Sequence, residues 1–295
     1  MSANPAFERL LRRDRAVTVA ALALLCALTW AYIAIGAGLG MPAWDMTTLA
    51  LLPHQAGAHP AGMPMAGMDM APPEAGWGPA HWALVVGMWW AMMVAMMTPA
   101  AAPTILLYAR VLRHAAAAGG PLANDIPTAR ARTGLFAGGY FLAWLGFSVV
   151  AATLQQALQQ TGAMSATMGS RVGWLSGAVL VAAGLYQLSP WKNACLSRCR
   201  APAGFLARHW RPGATGALRL GLLHGAWCIG CCWMLMALLF VGGVMNLAWI
   251  AALTLLVLAE KYLPGGRGLG RAAGVVLVGW GLVVLVVVAA VLLVG

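Results

Sequence analysis

Nine residues, His224-Gly225-Ala226-Trp227-Cys228-Ile229-Gly230-Cys231-Cys232, hold three thiols and one imidazole inside an apolar run. At about 100° per residue of an α-helix, His224, Cys228, Cys231 and Cys232 fall within roughly a 100° arc. One helical stripe therefore presents soft sulfur donors with a histidine, a set that suits a thiophilic metal ion such as Cu(I). A plainer reading is three small core cysteines and one packed histidine, since free Cys is among the most buried residue types. An ionisable His in an apolar segment favours a site. Gly221 and Gly225 lie on the same side and would let another helix approach that stripe closely. Cys228 and Cys231 also form a Cys-x-x-Cys pair, which could carry electrons by thiol–disulfide exchange.

A second set of soft donors lies upstream, in Met88-Trp89-Trp90-Ala91-Met92-Met93-Val94-Ala95-Met96-Met97-Thr98-Pro99. His81, Met88, Met92 and Met96 descend one side of a helix, and Met93 and Met97 widen that face. Methionine is a flexible core filler as well as a thioether ligand, but five in ten residues exceeds filling. Pro99 and Pro103 should bend or break the inner part of the helix, leaving carbonyls that the bundle or a watery cavity must satisfy. Cys195 and Cys199 follow in a basic loop, and Cys26 stands apart as a core residue.

The elements that must position these groups are membrane helices. The chain has 295 residues, 62% hydrophobic and 8% charged, with mean hydropathy +0.80, a balance typical of a polytopic membrane protein. Seven apolar runs approach the roughly 20 residues needed to cross the hydrocarbon: 16–38, 82–108, 134–158, 172–189, 218–241, 247–263 and 272–294. The expected fold is thus an all-α bundle of about seven transmembrane helices. The first run is too long for a signal-peptide core and reads as an uncleaved anchor. Four parts follow: a basic segment and anchor (1–38), a Met/His-rich extracytoplasmic loop (39–81), a metal-binding membrane domain (82–264) and a last transmembrane helix (265–295).

Charge placement orients the bundle. Arg9, Arg12, Arg13 and Arg15 precede the first run and hold the N-terminus in the cytoplasm. Alternating crossings then place all of the 18 Lys+Arg on that side except Arg171. The net charge of +11 is therefore a topology signal and calls for no nucleic acid. Trp77, Trp82, Trp191 and Trp210 lie where interfacial rings belong, and Gly169, Gly173 and Gly177 make a small-residue packing face. His114 and His209 fall in basic loops and read as solvated. Arg171 and Glu260 stand near helix ends and need no functional account.

With that topology the sulfur sorts by side. The outer loops carry Met41, Met46, Met63, Met65, Met68, Met70, Met164, Met168 and Met245, with His54 and His59. The inner loop carries Cys195 and Cys199. Thioethers remain usable ligands in an oxidising compartment, whereas free thiolates persist where the cytosol keeps them reduced. If the Met-rich and Cys-rich helices are neighbours, Met92 and Met96 stand level with Cys228, Cys231 and Cys232. A ladder would then run from the outer loop through His81 and Met88 to the thiols, and past His224 to Cys195 and Cys199.

Three stretches carry a resemblance: Ala91 to Pro99, Tyr186-Gln187-Leu188-Ser189-Pro190-Trp191-Lys192 leading to Cys195, and His224 to Cys232. They resemble a bacterial family of unknown function described as predicted metal-binding integral membrane proteins, some members of which are labelled copper chaperones. The resemblance covers roughly 76–264. It implies that Met92, Met93, Met96, Met97, Cys195, Cys199, His224, Cys228, Cys231 and Cys232 are the positions to test.

The expected function is Cu(I) binding in a bacterial inner membrane, for transfer, transport or delivery to periplasmic or membrane cuproproteins, with lipid as the surrounding partner. No Gly-x-x-x-x-Gly-Lys-Ser/Thr loop is present, which argues against an ATP-driven pump. None of the seven Asp+Glu lies mid-run, which weakens proton-coupled antiport. A transmembrane thiol–disulfide relay through Cys228 and Cys231 is the alternative, and a metal-responsive sensor would use the same ligands.

Overall fold

The computed structural model of the chain describes residues 5–38, 42–45, 47, 77–117, 126–162 and 173–294. Every regular element among them is helical: α1 (Pro5–Ala34), α2 (Pro79–Ala117), α3 (Ile126–Gln160), α4 (Gly173–Leu188), α5 (Pro190–Cys199), α6 (Pro202–His209), α7 (Gly213–Ala237), α8 (Leu239–Gly242), α9 (Leu247–Tyr262) and α10 (Gly266–Val294). Each apolar run of the sequence is a helix. Five helices are long and apolar enough to cross a membrane: Arg15–Ala34, Pro79–Ala115, Pro127–Gln160, Gly213–Gly242 and Gly266–Leu293. α4 and α9 have 16 residues each. At 1.5 Å per residue that is about 24 Å, short of about 30 Å of hydrocarbon. Of the seven runs expected to span, five are thus helices long enough to do so and two are helices that fall short. Of the Met/His residues in 39–81, all but His81 lie outside the described residues, as do the loop methionines Met164 and Met168. Met245, expected in a loop, is buried.

The segment after α4, read from sequence as an inner loop, contains two helices. Ser189 caps α5 by accepting from the Lys192 backbone N–H at 3.2 Å, and Pro190 fits the first turn, where no N–H is needed. Pro202 opens α6 in the same way.

Glycines decide which helices pair. A Cβ on Gly221 would strike the Phe136 carbonyl, and one on Gly139 would strike the Leu218 carbonyl, so α3 and α7 cross with backbones almost touching. A Cβ on Gly225 would come within 2.6 Å of Ala143. The second close pair is α4 with α10, where Gly184 faces the Gly274 backbone and Gly281 faces that of Gly177. α2 packs on α1, α3 and α9.

Of the bend or break expected at Pro99 and Pro103, no break occurs, since α2 runs on as one helix, and the freed carbonyls are met by the bundle, as expected. The Ala95 carbonyl, four residues before Pro99, receives the Cys26 thiol at 3.6 Å. The Pro99 carbonyl, four residues before Pro103, receives the Tyr262 hydroxyl at 2.7 Å.

Glu260 stands near a helix end, as expected, and is tied into the bundle there. It is buried in the last turn of α9, with Lys192 Nζ 2.5 Å from Oε2 and Gln187 Nε2 donating to Oε1 at 2.7 Å. Lys192 also donates to the Gln187 side-chain oxygen. At the other end of α5, Arg200 donates to the Glu260 and Leu263 carbonyls at 2.5 and 2.8 Å. The short helix that carries Cys195 and Cys199 is therefore fastened to α9 at both ends.

Two outcomes follow for purified protein in detergent. Gly221→Leu forces α3 from α7 and lowers the thermal midpoint sharply, while Gly279→Leu, where a Cβ meets nothing within 4 Å, leaves it unchanged. Lys192→Met strands the Glu260 carboxylate and costs about 3–5 kcal/mol, whereas Lys192→Met with Glu260→Met recovers most of that loss. Equal losses in the single and double variants would contradict the pairing.

Candidate metal centre

The α3–α7 crossing that the glycines permit brings Tyr140 against the cysteine stripe. Cys228, Cys231 and Cys232 are all buried, and their sulfurs lie within 4.8 Å of one another. Two thiolates on one ion, each about 2.3 Å from it by the zinc value, stand at most about 4.6 Å apart. Even the widest pair is thus within a few tenths of an ångström of holding an ion in line between two sulfurs, while three-sulfur binding, with sulfurs about 4.0 Å apart, needs some further closing. All six cysteines are free thiols. Cys231 and Cys232 each donate to the Cys228 carbonyl at 3.0 Å, which keeps both sulfurs turned toward the same turn of α7.

Three other helices close on this cluster. From α5, the Cys199 sulfur stands 4.0 Å from that of Cys231. From α9, Lys261 Nζ lies 3.0 Å from the Cys228 sulfur. From α3, the Tyr140 hydroxyl lies 3.1 Å from that sulfur and 3.3 Å from the Met97 carbonyl of α2. Cys195 is half-buried beside Gly230, whose missing Cβ would stand 3.0 Å from the Cys195 sulfur. The Tyr186 hydroxyl donates to the Gly230 carbonyl and ties α4 to the same turn. Burial pushes the Cys195 thiol above its usual pKa, with Cys231 acting the same way and Arg198 opposing, so a metal would have to displace its proton.

The other residues expected at a site are His224, the methionines of α2 and His81. His224 stands outside the thiol cluster, with its ring among Phe205, Tyr140 and Phe136 at 5.3, 5.4 and 6.0 Å between centroids. Met88, Met92, Met93, Met96 and Met97 are all 0% exposed, so none of the five turns outward. α2 and α7 make no extended contact, however, and α3 packs along both. The assumed adjacency of the Met-rich and Cys-rich helices is therefore indirect, because the glycine face of α7 is taken by α3. The two meet through Tyr140 at the level of Met97, below the expected Met92 and Met96. His81 is exposed at the far end of α2, packed edge-on to Trp77 at 4.9 Å.

Sequence reasoning missed Tyr140 and Lys261. Lys261 had a readable signal: an ionisable pair, Glu260-Lys261, ending an apolar helix. Tyr140 had none, since one tyrosine in an apolar helix is ordinary.

The geometry permits binding of a soft cation by two or three thiolates beside a fixed ammonium. It is less suited to disulfide exchange. The Cys228–Cys231 pair lies deep in the 25-residue α7, with 1% and 2% of its two residues exposed, so an outside thiol would reach it only by way of the half-buried Cys199, 4.0 Å from Cys231.

No curated protein and no solved structure matches the chain. A family model described as "PpoB2: Copper chaperone" matches residues 86–284, which hold the methionine run, α5, the thiol cluster and Lys261. Most of the chain lies within that match, and the protein belongs to this copper chaperone family.

Proposed function

We propose that the protein binds Cu(I) as cargo at Cys228, Cys231 and Cys232, with Cys199 as an exchanging fourth sulfur, and hands it on by ligand exchange within a membrane. The observation that carries this reading is the buried triad of sulfurs within 4.8 Å, with Lys261 Nζ 3.0 Å from Cys228. A Cu(I) ion with two thiolates leaves one net negative charge. An uncompensated charge in an apolar interior is costly, and the Lys261 ammonium offsets it. Four sulfurs from two helices, spaced closely enough to share an ion, allow transfer without a free ion ever forming. Soft thioethers in α2 favour copper over zinc, and the family's description agrees.

In this reading the short helices α4 and α9 complete a seven-helix bundle in a bacterial inner membrane, with the N-terminus and the thiol end on the cytoplasmic side. The exposed apolar faces of α1 and α10 support that placement, since Leu24, Leu28, Val275, Val276, Val286 and Leu292 would otherwise meet water. The buried methionines of α2 hold a second, weaker ion on its way from the outer loop, past His81 at the far end of α2. Periplasmic or membrane cuproproteins are the exchange partners.

The test is anaerobic Cu(I) titration of detergent-purified protein against a chromophoric chelator. The wild type takes up about one or two ions, the outcome expected for sulfur sites. Cys231→Ser with Cys232→Ser abolishes the tight site, and Lys261→Met weakens it about 10–100-fold, as loss of an orienting neighbour does. Met92→Leu with Met96→Leu removes only the weaker ion. Wild-type titration curves from the cysteine variants, with activity following a Cys228–Cys231 disulfide, would replace copper binding with the thiol relay.

A further inference from the structure

At the junction of α6 and α7 the chain closes around a cavity of about 140 Å³, several water volumes, whose rim carries Arg208, Arg211 and Arg219. These three differ from the arginines nearby. Arg198 lies over the Trp227 ring at 3.7 Å, and Arg200 is bonded to the end of α9. Among the described residues the cavity arginines have no carboxylate partner. Three exposed guanidiniums lining one hollow make its field positive and favour an anion there.

The walls are held in place by the protein. Trp210 packs on Tyr108 at 5.4 Å between ring centroids, and His209 Nδ1 lies 3.0 Å from the Phe205 carbonyl. The Arg211 carbonyl folds so close over Gly216 that a Cβ there would clash, and Gly213 makes the turn with φ +86°. The floor is apolar, formed by Leu220 and Leu223.

We infer that this cavity binds the phosphate of an anionic membrane phospholipid. Guanidinium forks match phosphate oxygens two at a time, and three exposed arginines line the one cavity. The apolar floor and the tryptophan on the rim suit a glycerophospholipid, whose phosphate continues into apolar chains at the interface depth that Trp prefers. A free phosphate ion would use the rim and leave the floor idle. The inference rests on the membrane placement proposed above and is independent of which metal, if any, the thiols bind. Because Phe205 packs on both His209 and His224, at 5.1 and 5.3 Å between centroids, an occupied cavity also steadies α6 against the helix that carries the cysteines.

The experiment uses the full chain in phosphatidylcholine nanodiscs doped with brominated phosphatidylglycerol or brominated phosphatidylcholine. Bromine quenching of Trp210 is taken as the difference between the wild type and Trp210→Phe. The brominated anionic lipid quenches more than the neutral one. The variant Arg208→Gln/Arg211→Gln/Arg219→Gln loses that preference, on the order of five-fold per charge removed. A control with the same charge loss elsewhere, Arg110→Gln/Arg267→Gln/Arg271→Gln, retains it. Inorganic phosphate at millimolar concentration leaves the quenching unchanged. Relief of quenching by phosphate would assign the cavity to a soluble anion and overturn the lipid. Equal quenching by the two lipids, or an equal loss in the control, would overturn the site itself. Cu(I) titration of the same preparations reports on the thiols separately.

Discussion

A buried ammonium beside a buried sulfur constrains this molecule more than any other contact. Lys261 Nζ, 3.0 Å from Cys228, has almost no access to solvent, so its charge must be answered inside the bundle. The residue before it faces the other way and is answered by Lys192. The final turn of α9 therefore sends a cation toward α7 and an anion toward α5. Both helices that bear the clustered cysteines are referred to that one turn.

The same economy governs the backbone. Prolines in α2 free two carbonyls in an apolar interior, and each is met by a side chain from another helix, Cys26 from α1 and Tyr262 from α9. Tyr262 directly follows Lys261, so α9 docks on the proline segment of α2 and on the thiols of α7 with consecutive residues. The link between methionines and thiols thus runs through α9 and through Tyr140 of α3. Helix-to-helix contact between α2 and α7 would require α7 to give up its glycine face, which α3 already occupies.

Local patterns in the sequence carried much of this. Apolar runs located the long helices, and α4 and α9 nearly end to end, but not how far α1, α2 and α3 extend past their apolar stretches. The spacing of Cys228, Cys231 and Cys232 revealed the thiol stripe, because that signal is periodic within one segment. Gly221 and Gly225 were legible as a close-packing face, though not which helix would use it. What stayed hidden was non-local or single. Tyr140 and Lys261 join the site from helices far away in sequence, and a lone tyrosine or helix-end lysine has no period. The stripe rule also drew in His224, which the fold packs among three rings one turn from the sulfurs. α5 was missed despite its Ser189-Pro190 start, since ten residues with a basic, polar face do not register as an apolar run.

X-ray absorption at the copper edge, on protein loaded anaerobically with one Cu(I), bears most directly on the claim that buried thiols hold the ion. The account predicts a cuprous edge and a first shell of two or three sulfurs alone, at about the 2.3 Å of a metal–thiolate bond, with Cys228→Ser reducing the sulfur count. A shell dominated by nitrogen or oxygen, or one unaltered by that substitution, would contradict it.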